Sequence, residues 1–389
     1  MKVNGIISKI LFPTASRAVN TRNIFTKEYL GLSFLQAKAE EAHAKAGRNE
    51  WPFRNATETK NKFLKSYKEK GIIGLRRNDI RNFMYLVKGE KDMANLSRVV
   101  EDSLAQAGDP NIKLKLLCDC IRTCYLRGDL KYSRTLSEGA FFQYFDNHPI
   151  AKLTHLQLEY DHGNYQELVD KYKKLTKVKN AAYMTIVMAS LCKIGTPEAY
   201  KQATEFWADE ILNPKEVDSG RAIELFAWFS IQMGHYDVAI ETLKKKQPTN
   251  LSEKIKSVKA ASKIRQNVIL TALVKSGQAE ICLSEMSNAL RNYSKFGFTP
   301  VYSSELIQGL AEAGKHDEKL SEKYKELQKD LEEKGTVEKV TVEELVFRPI
   351  DRSPHSKIGE KDFNNKYYYK KKWGTDGIKS KDYPNFKYL

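Results

Sequence analysis

Residues 218–246 read DSGRAIELFAWFSIQMGHYDVAIETLKKK, and their spacing decides the fold. Ala222, Leu225, Phe226, Phe229 and Met233 fall at i, i+3, i+4, i+7 and i+11, one apolar stripe on a helix. Gly234-His235 interrupts the run. A glycine there supplies the left-handed residue that ends a helix, because it has no Cβ to clash. Tyr236, Ala239, Ile240 and Leu243 then resume the spacing, with Glu241, Lys244, Lys245 and Lys246 on the other face. Pro248 ends the second helix, since its ring cannot continue the hydrogen-bond ladder. The stretch predicts an antiparallel helical hairpin that cannot bury either stripe by itself.

The same punctuation recurs along the chain. Helix-ending glycines are expected at Gly89, Gly128, Gly163, Gly195, Gly234, Gly277 and Gly314, with gaps of 39, 35, 32, 39, 43 and 37 residues. Pro110, Pro149, Pro214, Pro248 and Pro300 fall between the units; only the Gly163 unit lacks its proline. A repeat of roughly 35–40 residues built from helix pairs marks an all-α fold, an α-solenoid of antiparallel helix pairs in which each unit buries its stripes on its neighbours. The hairpins are placed at about 77–106, 112–146, 150–176, 180–212, 218–246 and 254–294, with a partial one from 302.

Charge divides the rest. Lys and Arg exceed Asp and Glu by 16 over 389 residues, and 41% of the residues are hydrophobic, enough for a core. Residues 1–27 hold Lys2, Lys9, Arg17, Arg22 and Lys27, several hydroxyls and no acid. That is the composition of a mitochondrial presequence, and its apolar run is too short to span a bilayer. Residues 28–76 read as a helical lead-in with a basic helix from Lys60 to Lys70, residues 77–334 as the repeat array, and residues 335–389 as a basic, aromatic tail. No stretch is long and apolar enough for a membrane span.

Catalytic chemistry is hard to place. Cys118 and Cys120, at i and i+2 on a helix, point to different faces and cannot chelate one ion; with Cys124, Cys192 and Cys282 they read as buried free thiols, with no metal. His155 and His162 share one helix and His235 sits in a turn, none beside a nucleophile. No phosphate loop and no dinucleotide fingerprint occurs, so neither an enzyme, a cofactor nor a small-molecule substrate is expected. The tail is chemically distinctive: Tyr367, Tyr368, Tyr369, Lys370, Lys371, Lys372 and Trp373 alternate rings with bases. Lysines neutralise phosphates while rings stack on unpaired bases, which suits single-stranded RNA; docking on a protein is the other reading. On the array, Arg76, Arg77, Lys113, Lys115, Lys171, Lys173, Lys174, Lys177 and Lys244–Lys246 are candidates for a phosphate track.

Helix pairs near 35 residues, an RNA-compatible charge and an import signal together resemble the mitochondrial pentatricopeptide repeat family. Val268-Ile269-Leu270-Thr271-Ala272-Leu273-Val274-Lys275-Ser276-Gly277 is similar to the motif's first helix, ending in Lys-small-Gly. Phe25–Leu30 before the array and Arg348–His355 after it extend the resemblance over about residues 25–357. It implies a right-handed superhelix in the mitochondrial matrix, acting in maturation of mitochondrial transcripts and in respiratory-chain function, with single-stranded mitochondrial RNA and RNA-processing proteins as partners. The family reads bases through polar residues of each first helix. Nine residues before each glycine, this chain has Ile80, Asp119, Thr154, Ile186, Leu225 and Val268, of which only Asp119 and Thr154 suit a base edge. Looser RNA contact therefore stands beside a second class of function: a structural protein-interaction solenoid, such as a subunit on the mitochondrial ribosome.

Overall fold

The computed structural model describes residues 23–350 except 51, 54, 107–109, 139–140, 176–180, 212–219, 246–250, 297–299 and 316. Its lead-in is α1 (Leu32–Gly47) and α2 (Ala56–Lys70), followed by a tight turn at Ile72–Gly74. Helix pairs follow: α3 (Arg77–Leu86) with α4 (Glu90–Ala105), and α5 (Pro110–Arg127) with α6 (Leu130–Ser137) and the short α7 (Phe142–Asp146). Next come α8 (Pro149–Asp161) with α9 (Tyr165–Lys174), and α10 (Ala181–Ile194) with α11 (Pro197–Phe206). The last pairs are α12 (Gly220–Gln232) with α13 (Tyr236–Lys245), α14 (Leu251–Lys275) with α15 (Ala279–Phe296), and α16 (Ser304–Gly314) with α17 (Glu318–Lys334). A short α18 (Val342–Val346) closes the described chain. The described residues are mostly helical, consistent with the all-α class that their periodicity predicts.

Local chemistry sets the helix ends. Pro110, Pro149 and Pro197 open α5, α8 and α11, where a missing N–H costs nothing. Asn55, Asp129, Thr196, Ser303, Asp317 and Thr341 each accept a backbone N–H of the helix that follows them, filling a donor the helix leaves open. Gly128, Gly163, Gly195, Gly234 and Gly277 take φ between +66° and +81° and join the two helices of a pair. Two expected glycines behave otherwise. Gly89 is extended, with φ −134°, and opens α4 rather than ending α3, whose last turn is closed by Val87. Gly314 is the last residue of α16 but lacks the left-handed angle, and the chain stays right-handed through Lys315.

The first helices pack on one another in chain order: α5 on α8, α8 on α10, α10 on α12, α12 on α14 and α14 on α16. Second helices α9, α11 and α13 also pack on the first helix of the next pair. Single stripes understate the burial this produces. Every residue from Ile150 to Tyr160, from Ala182 to Cys192 and from Ala222 to Ile231 is buried, so α8, α10 and α12 are enclosed on all sides.

Both ends of the helical body carry packed segments. Ile24 and Phe25, within the expected leader, are buried, and the Phe25 N–H donates to Gln157 Oε1 at 3.1 Å, so these residues pack with the helices. At the other end, Tyr302–Ser303 pairs in parallel with Val337–Glu338, and this is the only sheet among the described residues. Buried Asn267 ties it to α14, donating to the Val301 carbonyl and accepting the Ser303 N–H, both at 2.8 Å. Val342, Leu345, Val346 and Phe347 are buried, and α18 packs on α12 and α14. The chain divides after Pro349, so residues 335–349 of the expected tail group with the helices.

Gly234 and Gly89 offer a test of the punctuation. Open space surrounds the Cβ position at both, so alanine meets no clash and only the backbone angle differs. Gly234→Ala, forced to φ +81°, should lose roughly 1–2 kcal/mol of stability, while Gly89→Ala should stay within about 0.5 kcal/mol of wild type. Urea unfolding midpoints check this; equal midpoints for the two variants would contradict it.

Candidate nucleic-acid interface

A base-reading surface needs polar side chains standing free on the first helices. Ile80, Thr154, Ile186, Leu225 and Val268 are all buried. Thr154 in addition donates its hydroxyl to the Ile150 carbonyl at 2.7 Å, so it presents nothing to a base edge. Asp119 is half-buried, 3.8 Å from Arg81 and 3.8 Å from Arg122, and its carboxylate is engaged by guanidinium groups. The two polar positions read from sequence thus lie within the packing of the helices. The signal that misleads is spacing from the glycine, which locates a residue on its helix but not the neighbours that cover it.

The chain itself supplies part of that cover. Lys193 of α10 pairs with Glu343 at 2.8 Å and lies over the Phe347 ring, 4.0 Å from its centroid. Arg221 of α12 donates Nη1 hydrogens to the carbonyls of Leu345 (3.2 Å) and Val346 (2.8 Å), two acceptors that α18 leaves open at its C-terminus. Cations at a helix C-terminus also favour the dipole. Nothing in sequence marks Lys193 or Arg221 as partners of a segment more than 120 residues away.

Among the candidate phosphate contacts, Lys171 is already occupied. It lies 2.6 Å from Glu159 and 3.1 Å from Glu138, in a cluster centred on α8. Arg134 forks onto Glu159, with Nε and Nη2 at 2.8 and 2.7 Å, and also reaches Glu167. Burial alone would raise the Glu159 carboxyl, but hydrogen bonds from Arg134 and Lys171 outweigh it and hold the group near 2. His155 lies against the same cluster: Lys171 Nζ is 3.2 Å from Nε2, and Ser133 Oγ is 2.8 Å from Nδ1. Because an ammonium can only donate, Nε2 accepts, and the Nδ1 hydrogen goes to Ser133. Burial, and then the Lys171 charge, push this imidazole down to about 3.

Lys113 is likewise structural: it is buried, and its ammonium donates to the Leu104 carbonyl at 2.8 Å and to that of Gln106, closing the C-terminus of α4. Lys173 and Lys174 are exposed; Lys173 lies 3.9 Å from Asp170 in an open pair of little strength. Arg76 is exposed. Lys177, Lys246 and the tail residues Tyr367, Tyr368, Tyr369, Lys370, Lys371, Lys372 and Trp373 lie outside the described residues, as do the side chains of Arg77, Lys244 and Lys245.

All five cysteines are buried and free; burial pushes the Cys118 thiol up to about 11 and that of Cys282 to about 12. No group of three or more metal-ligating side chains occurs among the described residues, and no helix there is long and apolar enough to cross a membrane.

The buried histidine makes a measurable demand. Unfolded, His155 takes up a proton near pH 6.5; folded, it resists until about pH 3. Its contribution is therefore complete above pH 6.5 and is lost as pH falls towards 3, amounting to about 2 kcal/mol by pH 5. Urea unfolding of the wild type should weaken over this window, and His155→Gln should flatten the slope by about that amount. An unchanged slope would mean that the imidazole titrates as freely in the folded protein as in the unfolded one.

No family model, curated protein or solved structure matches the chain.

Proposed function

We propose that the helix pairs form a divergent α-solenoid of the pentatricopeptide repeat type, and that the protein acts in the mitochondrial matrix as a non-catalytic RNA-binding factor in mitochondrial mRNA maturation or processing, and so in respiratory-chain function. Stacking of first helix on first helix in chain order supports the solenoid reading. The observation that carries the RNA reading is the placement of charge. The tail from Arg348 holds eleven bases against five acids, with Tyr367–Trp373 interleaving three tyrosines, three lysines and a tryptophan. Such a segment neutralises phosphates and stacks unpaired bases without a base-by-base code. This suits first helices of whose six reading positions five are buried.

A second reading is favoured by one observation, the covering of α10, α12 and α14 by residues 342–347. An array whose first helices are partly covered by its own chain offers outer faces to partners, as in a structural protein-interaction solenoid associated with the mitochondrial ribosome.

Salt dependence separates the two. Removing residues 363–389 from the full chain should weaken single-stranded RNA binding and flatten its salt dependence, by about one unit of slope for each phosphate no longer neutralised. Replacing Tyr367, Tyr368, Tyr369 and Trp373 with Ala while keeping the lysines should cost roughly 1–3 kcal/mol per stacked base, with the slope nearly intact. Lys171→Gln should leave the RNA slope unchanged, because its ammonium is held by Glu159 and Glu138. If the truncated chain binds as tightly, with the same slope, the protein-docking reading takes first place.

A further inference from the structure

Between Lys60 and Arg77 the chain carries seven bases and one acid. Three anchors hold α2 to the body. Phe63, its only buried residue, stacks on Phe83 with centroids 4.5 Å apart; Lys60 pairs with Asp92 at 2.7 Å; and the Tyr67 hydroxyl donates to Asp102. These anchors leave Lys62, Lys65, Lys68 and Lys70 exposed, with Arg76 exposed just beyond the helix. Glu69, the single acid, lies 3.8 Å from Lys65 in an open pair, and Asp79 is taken up by the Arg76 N–H at 3.0 Å.

At the end of this basic helix stands Ile73, 87% exposed, the most exposed large hydrophobic side chain among the described residues. It sits on a built turn and not on a loose loop. Gly71 takes φ +63° and ψ −164° to turn the chain out of α2 after Lys70, its N–H donating to the Tyr67 carbonyl at 2.8 Å. The Leu75 N–H then donates to the Ile72 carbonyl at 3.1 Å, while Ile72 and Leu75 are half-buried at the base. Any Cβ on Gly74 would collide with the stem of Lys70, so the lysine stem and the turn pack directly together. The result is one aliphatic side chain held out in water within five residues of the exposed Lys68, Lys70 and Arg76.

We propose that this turn is a membrane-surface contact, in which Ile73 enters the headgroup–acyl boundary of an anionic bilayer while Lys68, Lys70 and Arg76 meet the lipid phosphates. An RNA would satisfy the bases but gain nothing from the isoleucine, which has no π-face to stack; an acyl boundary uses both. One apolar insertion or one basic cluster alone holds a protein to a surface weakly, whereas the two together hold it firmly. The contact is peripheral, in keeping with described helices none of which can cross a bilayer. It does not depend on the RNA reading, and it places the lead-in, not the tail, against the lipid.

The test is co-sedimentation of the full chain, at physiological ionic strength, with vesicles of phosphatidylcholine containing phosphatidylglycerol, and with vesicles of phosphatidylcholine alone. Binding is expected on the first and weak binding on the second. Ile73→Ser should lower the partition coefficient on anionic vesicles about tenfold, and each of Lys68→Gln, Lys70→Gln and Arg76→Gln about fivefold. All four residues are exposed, so the helical circular dichroism and melting midpoint should not change. Ile73→Trp should show a blue shift in tryptophan emission with anionic vesicles. Ile73→Ser binding as well as wild type, or an Ile73→Trp emission that vesicles leave unmoved, would overturn the proposal. So would charge variants that lose single-stranded RNA while keeping vesicles, since that outcome makes the surface an RNA contact. Loss of RNA binding on tail removal, with vesicle binding retained, leaves both assignments standing.

Discussion

Everything in the body depends on the mutual burial of α8, α10 and α12. Each of these helices keeps a central run of ten or more consecutive residues out of water, and each reaches its neighbours on both sides. Apolar burial of this kind contributes roughly 25 cal/mol per Å² removed from water, and no single pair could collect it, because a lone hairpin leaves its outer stripes wet. The second helices and the two terminal segments then act as the outer wall. This arrangement explains why α9, with three lysines in its last turn, is polar outside while α10, from Ala182 to Cys192, is closed on every face.

Polar groups inside such a layer must be paired, and the pairing is concentrated. Glu159, fully buried on α8, is met by Arg134 from α6 and Lys171 from α9, so one carboxylate ties three helices together. A buried acid without those partners would cost several kcal/mol, whereas paired it serves as a locating pin more than as a source of stability. Lys152 and Asp146, 3.1 Å apart and both buried, make a second pin between α8 and α7. Lys171 is thereby an internal strut, and a count of lysines in its helix overstates the charge offered to a ligand.

The same constraint bears on function. Residues 342–347 put backbone carbonyls and a carboxylate against Arg221 and Lys193, and those two cations are consumed by the chain's own fold. Basic side chains still facing solvent include those on α2 and its turn, at the end of α9, and along α4 and α17. Interaction surfaces of this protein are therefore read from its edges and outer faces, where charge is unspent and Ile73 is bare.

Helix pairing was legible in the sequence because it is a local property. Spacing of three and four puts residues on one face, and five glycines at regular intervals adopt the left-handed angles that a helix-to-helix turn requires. Burial of the cysteines followed from their apolar setting in the same way. Gly89 misled, and Gly314 ends its helix without the left-handed angle, because a glycine also fits where its freedom is not used, and residue type alone does not state φ. The accessibility of Thr154, Asp119 and Lys171, the packing of residues 24–25 and 335–349 with the helices, and the covering of part of α10, α12 and α14 by residues 342–347 were decided only by the tertiary structure. Periodicity says which way a side chain leaves its own helix. What stands in front of it depends on contacts between residues more than a hundred positions apart, such as Phe25 with Gln157 or Lys193 with Glu343, and these leave no periodic trace in the chain.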